Sequence, residues 1–339
     1  MTDWCENCTI PMSILDPGKR RIIAAGKAIS SITSNQAERD AAISIVSDWR
    51  ARHTVPMGIV ATDLRFKCSQ VDSRAFTAQR LKRLESIIAK LGRRDDLPSM
   101  NIWTMQDIGG CRAVLPTVAG VLSVDELYRA GLFLPHRRKD YIAQPKQSGY
   151  RGIHLVMKYQ GMQPSEYDGM QIEIQLRSRL QHIWATAIET VGYFSRQSLK
   201  SSVGSEMWLR LFSLVGSLIA LKEKCPPVPG TPETIAEIVA ELRPLTLEAR
   251  PHIMAYAETV KHAEAFRSHP DSEYYLLTIS QTENEIVWRT KGYRRERLGE
   301  ANSDYLRAET EGLNAVLVST ESLAALWEAY PNYRLAARV

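Results

Sequence analysis

Cysteine is scarce in this sequence. Of 339 residues only five are cysteine: Cys5, Cys8, Cys68, Cys111 and Cys225. A sparse, odd set gives no disulfide framework and points to free thiols in a reducing compartment, so a cytoplasmic setting is expected. Cys5-x-x-Cys8 is half of a zinc-ligand pattern without its second pair, and it reads as incidental thiols. Long apolar runs are missing as well; none approaches the ~18 residues of a membrane span. The opening Met1-Thr2-Asp3-Trp4-Cys5 has no basic stretch followed by an apolar one, as a signal peptide would. Internal repeats and low-complexity tracts are absent. So are three familiar signatures: a Gly-x-x-x-x-Gly-Lys-Ser/Thr loop, a Gly-x-Gly-x-x-Gly turn after a strand, and a Gly-x-Ser-x-Gly elbow. Their absence excludes a P-loop enzyme and argues against a Rossmann dinucleotide site and an α/β-hydrolase nucleophile.

What is present is ordinary in bulk and uneven in placement. Apolar residues make up 44% and charged residues 24%, which suits a globular chain of two domains or one elaborated one. The net charge of +5 is modest and matters only where it is concentrated. Residues 13–55 read as mostly helical, and helix continues through 74–93. Between 100 and 178 short alternating runs predict strands at Gly110–Leu115, Gly152–Tyr159 and Met170–Arg177, with a helix over 120–130. Helix returns over 179–223, where Trp184, Ile188, Trp208, Leu211, Phe212, Val215 and Leu218 form an apolar stripe. Four prolines and a glycine in residues 224–232 mark a linker. A helical stretch over 233–266 follows, then strands near 273–279, 284–290 and 313–318 and helices over 299–311 and 320–328. The chain therefore divides into a helical region 1–58, a central unit 59–223, the linker 224–232 and a C-terminal helical and small α+β region 233–339.

Four constellations carry chemistry. On a helix, Lys82, Ser86, Lys90 and Arg93 share one narrow sector, with Leu81, Leu84, Ile87, Ile88 and Leu91 opposite. Such a row of cations suits a polyphosphate. In Asp107-Ile-Gly-Gly-Cys-Arg112, an acid and two glycines lead into a strand, a common setting for a Mg²⁺ ligand. Residues 136–158 hold six Lys/Arg and one acid, with Tyr141 and Tyr150 interleaved, a mixture that suits a nucleotide's base and phosphates. Gln171-Ile-Glu173-Ile-Gln175-Leu-Arg177 alternates strictly, so its polar residues share one strand face, and Glu173 there could hold Mg²⁺ or accept a proton.

In order, these blocks and the Trp184-Ala185 helix resemble the synthetase domain of the RelA/SpoT family, over about residues 60–200. The resemblance implies an α/β (α+β) fold: a mixed, mostly antiparallel sheet of about five strands flanked by helices, as in nucleotidyltransferases, here with a C-terminal α+β appendage. It implies transfer of the β,γ-pyrophosphate of ATP to the 3′-hydroxyl of GDP or GTP, giving ppGpp or pppGpp. Arg80 and Arg112 would sandwich the adenine, and Lys82, Ser86, Lys90 and Arg93 would hold the ATP phosphates. Asp107 and Glu173 would bind Mg²⁺, and Glu173 would deprotonate the hydroxyl. Tyr150 would stack on the acceptor base, with Lys146, His154, Gln175 and Arg177 beside it.

Departures from the pattern leave the acceptor open. Ser148 stands where members that use guanine nucleotides often have Asn, and Glu189-Thr190 where many small synthetases have Glu-His. Toxin-type relatives modify adenosine nucleotides or the 3′ end of tRNA, and Arg137, Arg138 and Lys139 could guide an RNA backbone. A catalytically silent module is a third reading, opposed by the presence of Asp107, Glu173 and Tyr150. No histidine is followed by Asp, so the metal-hydrolase pattern of bifunctional members is missing. Position after a flexible linker suggests that the C-terminal region is regulatory, answering to an antitoxin or another protein partner, and Tyr330-Pro-Asn-Tyr333 reads as an anchor packed on the core.

Overall fold

The structure is a computed structural model that describes residues 18–31, 33–92, 100–195, 197, 199, 203–259, 262–263, 272–281, 286–311 and 313–319. Cys5, Cys8, Arg93, the helix expected over 320–328 and Tyr330–Tyr333 lie outside these residues. Three helices open the described chain: α1 (Lys19–Ile29), α2 (Gln36–Arg52) and α3 (Thr54–Val71). The central unit runs β1 (Phe76–Leu81), α4 (Leu84–Gly92), a 3-10 turn at Ile102–Thr104, β2 (Gly109–Leu115), α5 (Val118–Arg129), β3 (Arg137–Asp140), β4 (Ile153–Lys158), β5 (Gln171–Ser178), α6 (Arg179–Phe194) and α7 (Glu206–Lys222). Beyond it come α8 (Ile235–Thr259), β6 (His262–Ala263), β7 (Tyr274–Gln281), β8 (Ile286–Tyr293), α9 (Leu298–Thr310) and β9 (Asn314–Ser319).

Local chemistry explains several boundaries. Asn35 and Glu38 form a reciprocal capping box that starts α2, and Ser178 and Gln181 do the same for α6. The Thr117 and Ser205 side chains cap α5 and α7. In β5 every second residue is apolar, so Ile172, Ile174 and Leu176 are buried on one face.

The fold is the expected mixed α/β one, with one addition. Among the described residues all strands join one nine-stranded sheet in the order β3-β4-β5-β2-β1-β9-β7-β8-β6. β2 pairs with β5 and β6 with β8 in parallel; the other neighbours are antiparallel. The first five strands are those of the central unit. The C-terminal strands extend the same sheet, because β9 pairs with β1 through Gln79↔Ser319 and Arg80↔Val318. One face of the central sheet packs Cys111, Ala113, Ile153, Leu155, Ile172 and Ile174 against α3 and α5. The stripe of α6 and α7, from Trp184 to Leu218, packs with Ile238, Leu242 and Ala249 of α8.

Two expectations need correction. Helix does not span 74–93: residues 76–81 form β1, hydrogen-bonded on both sides, and helix begins only at Leu84. Sheet pairing supplies partners for the backbone of Phe76–Leu81 that helical propensity alone could not foresee. The 224–232 connection is tied down and not flexible. Val228 is buried and its N–H donates to Ser217 Oγ at 2.8 Å, Arg210 holds the Gly230 carbonyl at 2.8 Å, and Arg151 bonds the Pro226 carbonyl.

Candidate active site

Sheet register builds the floor of the site. Arg80 lies opposite Gly110, Gly110 opposite Glu173, Arg112 opposite Gln175, Gln175 opposite His154, and His154 opposite Lys139. Residues paired across a sheet share a face, so these polar side chains stand on the side away from the α3/α5 core. Above them is a cavity of about 890 Å³. Its walls carry Arg80, Lys82, Lys90, Arg137, Lys139 and Lys146 against two carboxylates, Asp107 and Glu173.

Asp107 sits in the turn that enters β2. Lys82 Nζ reaches one of its oxygens at 3.0 Å and Lys90 Nζ the other at 2.9 Å. Burial works against ionisation here, and nearby Glu173 adds to that, yet the two ammonium groups hold the carboxyl below the usual range. Lys82 precedes α4 and Lys90 lies near its end, so the two cations converge from a loop and a helix and not from one helical sector.

Glu173 belongs to a closed ring of hydrogen bonds. Its Oε1 takes His154 Nδ1 at 2.9 Å and its Oε2 takes the Gln175 amide at 2.7 Å. Gln175 Oε1 accepts from Arg177 Nη2 at 2.7 Å, and the same nitrogen donates to the Tyr150 hydroxyl at 2.8 Å. The hydroxyl closes the ring on His154 Nε2 at 2.5 Å. Burial alone would raise the Glu173 pKa, but the His154 hydrogen bond and charge, the Gln175 bond and Lys90 together bring it down to about 2. Both carboxylates are therefore ionised at neutral pH. Partial desolvation by the cavity walls, with Lys139 next, pulls the Lys146 pKa down, so this ammonium gives up its proton more readily than a fully solvated one.

The structure thus brings together most of the residues expected from sequence. Arg80, Lys82, Lys90, Asp107, Lys146, Tyr150, His154, Glu173 and Gln175 all line the one cavity. Three others stand differently, and Tyr150 lines the cavity without being open to it. Ser86 is exposed on α4 and is not part of the cavity wall. Arg112 shares the cavity-side face of the sheet but is buried and does not line the cavity, so it and Arg80 do not present an open slot for a base. Arg177 is buried behind Tyr150 and Gln175 and supports the wall without lining it. Tyr150 has a ring only 2% exposed, with Lys146 Nζ 5.2 Å and Arg177 Cζ 5.1 Å from its centre, so its faces are already covered. Ser148 is buried with an unpartnered hydroxyl and does not line the cavity. It sits in the turn closed by Gly149 N–H to Lys146 O, where Asn would be a turn former as much as a base reader. Of the basic trio, Arg138 is committed to Asp125 and Asp140, and only Arg137 and Lys139 face the cavity.

Tyr141, which the sequence singled out among the cations without assigning it a role, is a wall residue. It is half-buried, with Lys146 Nζ 4.6 Å from its ring centre. Its place among the cations was a signal; its accessibility was not readable. Gln171 and Gln106 were missed, although Gln171 shares the alternating face of Glu173.

A family described as "Region found in RelA / SpoT proteins" matches residues 79–197. The chain is 37% identical over 119 residues to the GTP pyrophosphokinase YjbM of Bacillus subtilis, covering 35% of this chain and 56% of that protein. It is 25% identical over 134 residues to the GTP pyrophosphokinase YwaC of the same organism, covering 39% and 64%. The chain thus spans somewhat more than half the length of these curated relatives. The crystal structure of small alarmone synthetase 1 from Bacillus subtilis, bound to its product pppGpp, aligns at 28% identity over 52% of this chain and 93% of that one, with a TM-score of 0.43. Residues 79–197, which include both carboxylates and all six cavity cations named above, are the part of the chain that resembles the RelA/SpoT synthetase domain.

Proposed function

We propose that this chain is a nucleotide pyrophosphokinase that moves the β,γ-pyrophosphate of ATP to the 3′-hydroxyl of GDP or GTP, breaking the α–β phosphoanhydride bond and releasing AMP. The observation that carries the reading is the cavity itself: two ionised carboxylates on a rigid sheet floor, ringed by six Lys/Arg side chains. A polyanion is what such a field attracts, and fixed cations stabilise charge that spreads over phosphoryl oxygens during transfer.

In this reading Lys82 and Lys90 exchange Asp107 for the ATP phosphates, and Arg80 lies along the adenine. Asp107 and Glu173 offer the hard oxygen donors that Mg²⁺ takes when waters and substrate phosphates complete its shell, and the ion would neutralise charge on the transferred group. Glu173 orients the acceptor hydroxyl and takes its proton. A carboxylate with a pKa near 2 is a weak base. In a loose phosphoryl transition state the proton leaves late, so placement matters more than basicity. His154 and Gln175 fix the carboxylate for that task. The acceptor base takes the place of the Lys146 ammonium between Tyr141 and Tyr150, and Lys146 turns to the acceptor phosphates.

The test is a transfer assay with ATP labelled in its β,γ-phosphates. GDP, GTP, ADP and deacylated tRNA are offered in parallel, with the Glu173→Gln protein as blank. Label on GDP or GTP is expected. Label on ADP or tRNA instead would replace the acceptor, and no label with any acceptor would overturn the reading.

A further inference from the structure

Helix α4 carries Lys90 and follows Lys82 by two residues, so its position decides where both ammonium groups stand relative to Asp107. A helix of nine residues is short, and its first N–H groups have no partner within it. The partner for Leu84 N–H comes from 225 residues downstream: Glu309 Oε1, on α9, accepts it at 3.0 Å. The same oxygen accepts the Tyr305 hydroxyl at 2.9 Å, and Oε2 pairs with Arg50 of α2 at 2.7 Å. The Arg50 guanidinium lies 4.9 Å from the Tyr305 ring centre. The Arg50 and Glu309 side chains are only 2% and 9% exposed. A carboxylate at a helix N-terminus satisfies an orphan donor and complements the helix dipole.

We propose that Glu309 is a positioning residue for the ATP side of the site: it anchors the start of α4 and so sets Lys82 and Lys90 for the donor phosphates. The proposal rests on the pyrophosphokinase reading. It makes the C-terminal unit a part of the donor site's scaffold, and it places the hold at one carboxylate. The acceptor side, built from β4, β5 and the 146–150 turn, has no direct bond to Glu309 and is not set by it.

Removing Glu309 alone would strand the buried Arg50 charge and could unfold the protein. Two double variants avoid this. Arg50→Met with Glu309→Leu removes both charges and the cap. Arg50→Met with Glu309→Gln removes both charges but leaves an amide oxygen that can accept from Leu84. The two share the loss of the ion pair, so their difference reads the cap. Calorimetry with a non-hydrolysable ATP analogue and with GDP, and hydrogen exchange at the 84–90 amides, are measured on the full chain. The Leu double variant is expected to bind the ATP analogue about fivefold more weakly than the Gln one, the effect of a lost cap, with GDP affinity the same in both. Its 84–87 amides are expected to exchange faster. Equal ATP-analogue affinity in the two would overturn the proposal, as would a loss shared by ATP analogue and GDP or equal protection of the amides. A wild-type chain that binds no ATP analogue would instead overturn the pyrophosphokinase reading, while hydrogen exchange would still report whether Glu309 holds α4.

Discussion

At Glu173 burial and hydrogen bonding oppose each other, and the hydrogen bonds decide the outcome. Glu173→Gln is expected to keep the fold and to lower transfer by 10²–10⁴, the span typical of a lost acid–base group. Single-turnover kinetics and circular dichroism would check both halves. The folded pKa of about 2 lies below the ordinary 4.5. Stability from this shift is therefore complete above pH 4.5 and is lost as pH falls from 4.5 towards 2. Urea melts between pH 7 and pH 3 should show a shallower acid loss for Glu173→Gln than for wild type. Lys90 makes a different demand. Lys90→Met takes one of the two cations from Asp107 and, in the proposed pyrophosphokinase, from the donor phosphates, so the ATP KM is expected to rise about tenfold with little change for the acceptor.

Some elements could be read from sequence and some could not, for reasons visible in particular strands. β2, β4 and β5 alternate or run apolar between turn formers, and their spans agree with expectation to within a residue or so. β1 was hidden because Phe76–Leu81 runs into α4 through Lys82-Arg83, with no glycine or proline to mark the break. β3, Arg-Arg-Lys-Asp, has no apolar residue at all; it is an edge strand, where charge is the rule. The cations and carboxylates of the site were readable as residue types in order. Which of them face the cavity depended on register and burial, as Arg112 and Arg177 show. The 146–150 turn gives an element-level test. Gly149, at φ +93°, rests on α7, and a Cβ on Gly216 would stand 2.9 Å from its Cα and its carbonyl oxygen. Backbone cannot yield there. Gly216→Ala should therefore push the turn off α7, destabilise by about 1–3 kcal/mol and raise the acceptor KM more than the ATP KM, as thermal melts and steady-state kinetics would report.

At the scale of the molecule, the C-terminal region is woven into the sheet and the helical layer. Cutting the chain at about residue 228 would strip β9 from β1 and remove Ile238, Leu242 and Ala249 from the cluster around Trp208 and Phe212. The expected product is a poorly cooperative, dye-binding fragment and not a freed, more active enzyme; a urea melt and dye fluorescence would distinguish them. The pairing of Arg80 with Val318 also bears on how the protein is made. A ribosome adding 5–20 residues per second needs roughly 10–50 s to travel from one strand to the other. Once Gln175, the last residue of the cavity lining, has been added, and until residues 309–319 follow, a nascent chain holds every side chain of the cavity but lacks the strand beside Arg80 and the carboxylate that seats α4. Completion of the cavity's scaffold is thus timed to the synthesis of β9 and not to that of the residues that line the cavity, and a chain whose synthesis stalls before that strand emerges is left with the edge beside Arg80 unpaired.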